Sequence, residues 1–101
     1  SKMGNWQRIW ITRLEVSQAV ASKISIKHGI SIMDLRENFI CNLEVFGAQV
    51  KSSIHGSRYL FYLRVDKDYF IEIYANCLNF DYGEYSVRTA RRTSKIVKVR
   101  R

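Results

Sequence analysis

Proline is absent from these 101 residues, and only two cysteines and five glycines occur. No internal repeat, low-complexity tract or linker breaks the chain, so it reads as one domain over 1–101. Within it, 3–93 is the expected folded core and 94–101 a basic tail. Cys41 and Cys77 make neither a metal pattern nor a disulfide framework. Cys77 lies in an apolar run and reads as a small buried hydrophobe, a usage that suits a reducing cytoplasm. No apolar run approaches the length of a membrane span and no signal peptide is recognisable, so a cytoplasmic location without membrane contact is expected. A glycine-rich phosphate loop, a His/Cys/Asp cluster with metal spacing and a serine elbow are all missing. The nine carboxylates are scattered. No metal and no cofactor are expected.

Acidic residues are missing from one stretch in particular. The last sixteen residues hold seven basic side chains, Arg88, Arg91, Arg92, Lys95, Lys98, Arg100 and Arg101, and no Asp or Glu. Residues 1–85 carry ten basic and nine acidic groups, so nearly all of the net +8 sits in those last sixteen residues. Several kT of positive potential around one end is the field that a phosphate backbone answers. A polyanion, RNA first, is the expected partner.

What is present forms a legible pattern. Thr12 to Glu15 has capping-box spacing, and Val16, Val20 and Ile24 follow four apart, which predicts a helix from Thr12. Lys27, His28 and Gly29 supply its end. Ser31 to Asp34 repeats the capping spacing and opens a second, short helix to about Asn38 or Ile40. After Cys41 the period becomes two. Ala48–His55 is a weak strand, Arg58–Val65 a strong one, Tyr69–Leu78 a third, and Glu84 to about Arg92 the last. His55-Gly56-Ser57, Asp66-Lys67-Asp68 and Asn79–Gly83 supply the turns. The expected fold is α+β: two N-terminal helices packed on a four-stranded antiparallel β-meander.

Candidate chemistry concentrates on arginines within that sheet. Arg58 and Arg64 share a parity with Leu60 and Tyr62, so all four face one way. Arg88 lies in the last strand, and Arg91 and Arg92 where it ends. Tyr59, Phe61, Tyr62, Tyr69, Tyr74, Tyr82 and Tyr85 accompany them. Cations on the backbone and rings against the bases is how single-stranded RNA is held. Arg64, Tyr62, Arg92, Lys95, Lys98 and Arg100 are the expected RNA contacts.

Three segments resemble a known family. Lys27-His28-Gly29-Ile30-Ser31 looks like the junction between helices in BrnT toxins. Gly56-Ser57-Arg58-Tyr59 and Val87-Arg88-Thr89-Ala90-Arg91-Arg92-Thr93 resemble that family's later motifs. BrnT belongs to the RelE/ParE-like toxins of bacterial toxin–antitoxin systems. The resemblance implies a RelE-like fold, a metal-independent endoribonuclease that cuts messenger RNA, ribosome-bound message included, and thereby inhibits translation, and a cognate antitoxin protein as partner. It also implies Arg58 and Arg91 as site residues, and the reading of the residues themselves adds Arg88 and His28 to the candidate catalytic set.

Metal-free RNA cleavage needs the 2′-OH aligned and deprotonated, the phosphate charge stabilised and the leaving oxygen protonated. Arginine is no base at neutral pH, so Arg58, Arg88 and Arg91 would act as electrostatic clamps. His28 and Tyr62 remain as proton carriers. The other expectation is a non-enzymatic small basic binding protein, a nucleic-acid-binding regulator or an inhibitor of an acidic protein partner.

Overall fold

The computed structural model describes residues 2–3, 6–31, 43–54, 56–66 and 69–93. Its elements run β1 (Lys2–Met3), β2 (Gln7–Ile11), β3 (Arg13–Glu15), α1 (Gln18–His28), β4 (Leu43–Ser52), β5 (Gly56–Asp66), β6 (Tyr69–Asn79) and β7 (Glu84–Thr93). The last four make an antiparallel meander. β1 and β2 both lie antiparallel along the outer edge of β4. On the opposite edge β3 pairs with β7 in parallel, Arg13 against Glu84 and Glu15 against Ser86.

Only Thr12 separates β2 from β3, although these strands lie at opposite ends of the sheet order. One residue spans about 3.5 Å, so the sheet has to curl until its two edges meet. The seam is sealed at the β6–β7 turn. Thr12 N–H and Arg13 N–H both donate to Gly83 O, at 2.9 and 3.3 Å, and the Thr12 hydroxyl donates to Tyr82 O. Gly83 has φ +70°, and a Cβ there would stand 2.5 Å from Trp10 O. Only glycine fits.

Alternation then sorts the side chains. Ile9 and Ile11 of β2, Phe61 and Leu63 of β5, Ile71, Ile73 and Ala75 of β6, and Tyr85, Val87 and Ala90 of β7 point inward and are buried together. Val20 and Ile24 of α1 join this core. The helix begins at Ser17, whose Oγ accepts from Val20 N–H at 3.2 Å, and ends at Gly29, φ +65°, with Lys27 and His28 in its last turn. Lys23 Nζ donates to Arg88 O at 3.0 Å and ties α1 to β7.

The expected architecture, two helices on a four-stranded meander in the RelE-like manner, is therefore corrected. The meander is present, but strands before α1 extend it on both edges and curl it into a mixed sheet. Thr12-x-x-Glu15 does not cap a helix. The Thr12 hydroxyl is taken by Tyr82 O, Arg13–Glu15 is strand, and Ser17 does the capping. The second helix expected from Ser31 and the turn at His55 lie largely outside the described residues, as does the tail from Ser94.

Two stability predictions follow from this core. Gly83→Ala meets backbone rather than a yielding side chain. It should lower stability by roughly 2 kcal/mol, a fall in Tm of about 10 °C, measured by thermal unfolding. Tyr85 is fully buried, its hydroxyl finds no partner of ordinary hydrogen-bond geometry, and its polar neighbour is the Cys77 sulfur. Burial first, then the Cys77 and Tyr59 charges, pushes its phenol above the ordinary value of 10.0. Cys77 is likewise raised above 9.0, chiefly by burial. Both groups stay protonated longer in the folded chain. Their contribution is intact below the unfolded values and is lost as pH rises through the folded ones. Denaturant titrations should show stability declining above about pH 9. In Tyr85→Phe that decline should be shallower, with stability at pH 7 equal or up to about 1 kcal/mol higher.

Candidate nucleic-acid interface on the outer sheet face

The face of the sheet turned away from the core is ordered into rows by the strand register. One row pairs Val50 with Arg58. The next runs Ala48, Leu60, Tyr74, Thr89 across four strands. A third runs Tyr62, Glu72, Arg91, and a fourth Arg64, Phe70, Thr93. On the β2 side, Arg8 pairs with Phe46 and Trp10 with Glu44. Ala48 and Leu60 are buried on this face yet stand outside the inner core, so the sheet is packed on both sides.

Glu72 is the unusual member. Its side chain is 8% exposed, and burying a carboxylate requires partners that offset its lost hydration. It has two. Arg91 Nε donates to Oε1 at 2.7 Å and the Tyr62 hydroxyl donates to Oε2 at 3.0 Å. Arg91 itself is 62% exposed. The bonds to Glu72 raise its pKa, so it is charged at every working pH. Only Nε is engaged; its two terminal nitrogens have no partner among the described residues. Glu72 thus holds the guanidinium from behind and leaves the fork open to an oxyanion. Tyr74, next to this pair, has a raised phenol, through burial and then the Glu72 charge.

The other cations lie around it. Arg64 is exposed with its Cζ 6.0 Å from the centre of the Phe70 ring. Arg58 is half-buried, and its Nε is occluded without a hydrogen-bond partner. Arg8 lies 5.6 Å from the Phe46 ring centre and bonds Glu44 at 2.7 Å. The Trp6 ring, from the segment leading into β2, stacks on Tyr62 with centroids 5.8 Å apart and planes 20° off parallel. Guanidinium and ring alternate over the face.

Of the residues singled out from sequence, Arg58, Tyr62, Arg64 and Arg91 come together here. Arg92 does not: it pairs with Ile71 and so has the parity of the core. Arg88 is the extra residue of a bulge, since Tyr74 pairs with Thr89 but Ala75 with Val87. His28 ends a helix that packs on the inner face, across the sheet from Arg91. Lys95, Lys98 and Arg100 lie outside the described residues. Sequence reasoning missed Glu72 and Trp6. The signal for Glu72 was a lone acid inside the most apolar strand, with the parity of Phe70 and Tyr74. A hollow of about 370 Å³ beside α1, lined by Gln18, Ala21, Ser22, Ser25, Ile26 and Ser31, carries no charge and shares no residue with this face.

Among the described residues no group of three His, Cys, Asp or Glu could hold a metal, and no helix is long and apolar enough to cross a membrane. The chain matches no family model, and neither a curated protein nor a solved structure is significantly similar to it.

The Glu72 cluster makes a thermodynamic prediction. Arg91→Ala leaves a buried carboxylate without its cation and should lower stability by about 2 kcal/mol, water at the exposed partner softening the loss. Adding Glu72→Gln removes the uncompensated charge, so the double variant should unfold later than Arg91→Ala alone. Chemical denaturation of the cycle measures the coupling.

Proposed function

We propose that this chain is a binding module for single-stranded RNA, working in the cytoplasm and gripping its ligand on the outer sheet face. One observation carries the reading: Arg58, Arg64 and the Glu72-held Arg91 share a face with Trp6, Phe46, Tyr62, Phe70 and Tyr74. Guanidinium forks take phosphates in paired hydrogen bonds, and rings accept the faces of unpaired bases. A duplex hides those faces inside its stack. The net +8 supplies the long-range attraction.

The toxin endoribonuclease, with its antitoxin partner, stays as a second reading because of Glu72. The sequence offered only His28 and Tyr62 as proton carriers, and here a carboxylate stands 2.7 Å from Arg91. The RelE-like fold no longer supports that reading. Burial of Glu72 behind Arg91 and Tyr62 favours an orienting role over proton transfer, so binding is preferred.

Electrophoretic titration of an unstructured RNA decides between them. The chain should bind it more tightly than duplex RNA of equal length, with affinity falling steeply with salt. Arg58→Ala, Arg64→Ala and Arg91→Ala should each weaken binding and reduce the salt slope by about one. Replacing Lys95, Lys98, Arg100 and Arg101 by Ala should reduce the slope further, with little change in Tm. RNA recovered intact supports the module. RNA shortened by the wild type and spared by Glu72→Gln would establish the nuclease instead. Equal affinity for duplex and single strand would remove the sheet face from the account.

A further inference from the structure

We infer that Trp6 and Tyr62 form a clamp for one base of the bound strand, with Arg91 receiving that nucleotide's phosphate. The inference rests on the RNA-binding reading and makes it specific to one position.

The two walls of the clamp are built differently. Tyr62 is fixed: it lies in the middle of β5, and its hydroxyl is bonded to the buried Glu72 carboxylate at 3.0 Å. Trp6 belongs to neither β1 nor β2, so its backbone can shift without breaking the strand ladder that starts at Gln7. Gln7 pairs with Gly47, which puts Trp6 beside Ala48 in the register. The outward side chain there is only a methyl group, and the indole can reach across β4 to the Tyr62 ring.

The near-parallel orientation suits insertion. The rings are already within 20° of parallel at 5.8 Å between centroids. A planar base between them needs about 7 Å, twice the carbon contact distance of about 3.5 Å. Trp6, which lies outside the strand ladder, has to swing outward to make that room. Stacking on both faces then replaces one ring–ring contact with two. Glu72 and Arg91 follow Tyr62 on the next two strands, and Arg91 is two strand spacings away, about 10 Å. Its side chain reaches back as far as Glu72, so its open fork stands near the mouth of the clamp. A planar ring with an anion a few bonds away is the shape of a nucleotide. An aromatic amino acid side chain carries no such anion.

Tryptophan fluorescence tests the clamp in the Trp10→Phe chain, where Trp6 is the sole tryptophan. An oligouridine of eight nucleotides should quench Trp6, and an abasic ribose-phosphate oligomer of equal length and charge should not. Trp6→Leu keeps an apolar side chain at this position but removes the ring. It should bind oligouridine roughly ten- to a hundredfold more weakly. Its salt slope and its affinity for the abasic oligomer should equal those of the parent. Equal quenching by the two oligomers, or unchanged oligouridine affinity in Trp6→Leu, would overturn the clamp and leave the rings as a cover for the sheet. Uridine monophosphate binding as tightly as the oligomer would overturn the strand as its ligand. If the parent chain binds no oligonucleotide at all, the RNA-binding reading itself falls.

Discussion

The closure at Thr12 and Gly83 is the constraint on which the rest depends. A single residue joins strands that lie on opposite edges of the sheet, so the meander cannot remain flat. Curling gives the sheet an inside and an outside of unlike chemistry. Aliphatic side chains and the inward-facing rings of Tyr59, Phe61 and Tyr85 fill the inside together with one face of α1. Guanidiniums and most of the remaining described rings are left to the outside. The same closure fixes β2, and through β2 it brings Trp6 within reach of Tyr62. A seam held by three hydrogen bonds and a left-handed glycine thus positions a ring far along the strand from it.

Legibility in the sequence tracked how local the signal was. Strands β5 and β6 were plain, because Arg58–Val65 and Tyr69–Leu78 are short runs rich in aromatic and aliphatic residues bounded by turn signals. Lys27-His28-Gly29 marked the helix end because a C-cap is written in three adjacent residues. The helix start was misjudged for the converse reason. A capping box is a spacing of two residue types, and Thr12-x-x-Glu15 meets it while the Thr12 hydroxyl serves Tyr82, 70 positions away. β2 was overlooked although Gln7–Ile11 ends in the alternation Ile9-Trp10-Ile11, which is short and faces a partner 34 or so residues on.

The candidate site divides in the same way. Arg58, Tyr62 and Arg64 were placed on one face by counting along a single strand, and the register agrees. Arg91 could not be related to them by counting. Two bulges intervene along the chain, with Leu78 of β6 and Arg88 of β7 as the extra residues, and each shifts the parity by one. Glu72 and Arg91 are 19 residues apart, and their pairing belongs to the register alone. Arg91 and Arg92 look equivalent in the sequence, yet adjacent residues of a strand face opposite ways. Arg91 goes to the outer face and Arg92 to the parity of Ile71.

Glu72 explains how so many cations can share a small face. Guanidiniums crowded on one side of a sheet repel each other, and the repulsion grows where water is excluded. One carboxylate placed beneath the layer lowers that repulsion and fixes Arg91 in a single orientation. It leaves Arg58 and Arg64 without a carboxylate partner among the described residues, so the face stays net positive. Thr93, the last residue of β7, pairs with Phe70, which itself pairs with Arg64. The chain therefore leaves the sheet from the row that holds Arg64, next to the row of Arg91. Lys95 follows Thr93 by two positions, and Lys98, Arg100 and Arg101 come soon after. The last described residue before the basic end of the sequence thus belongs to the row that holds Arg64.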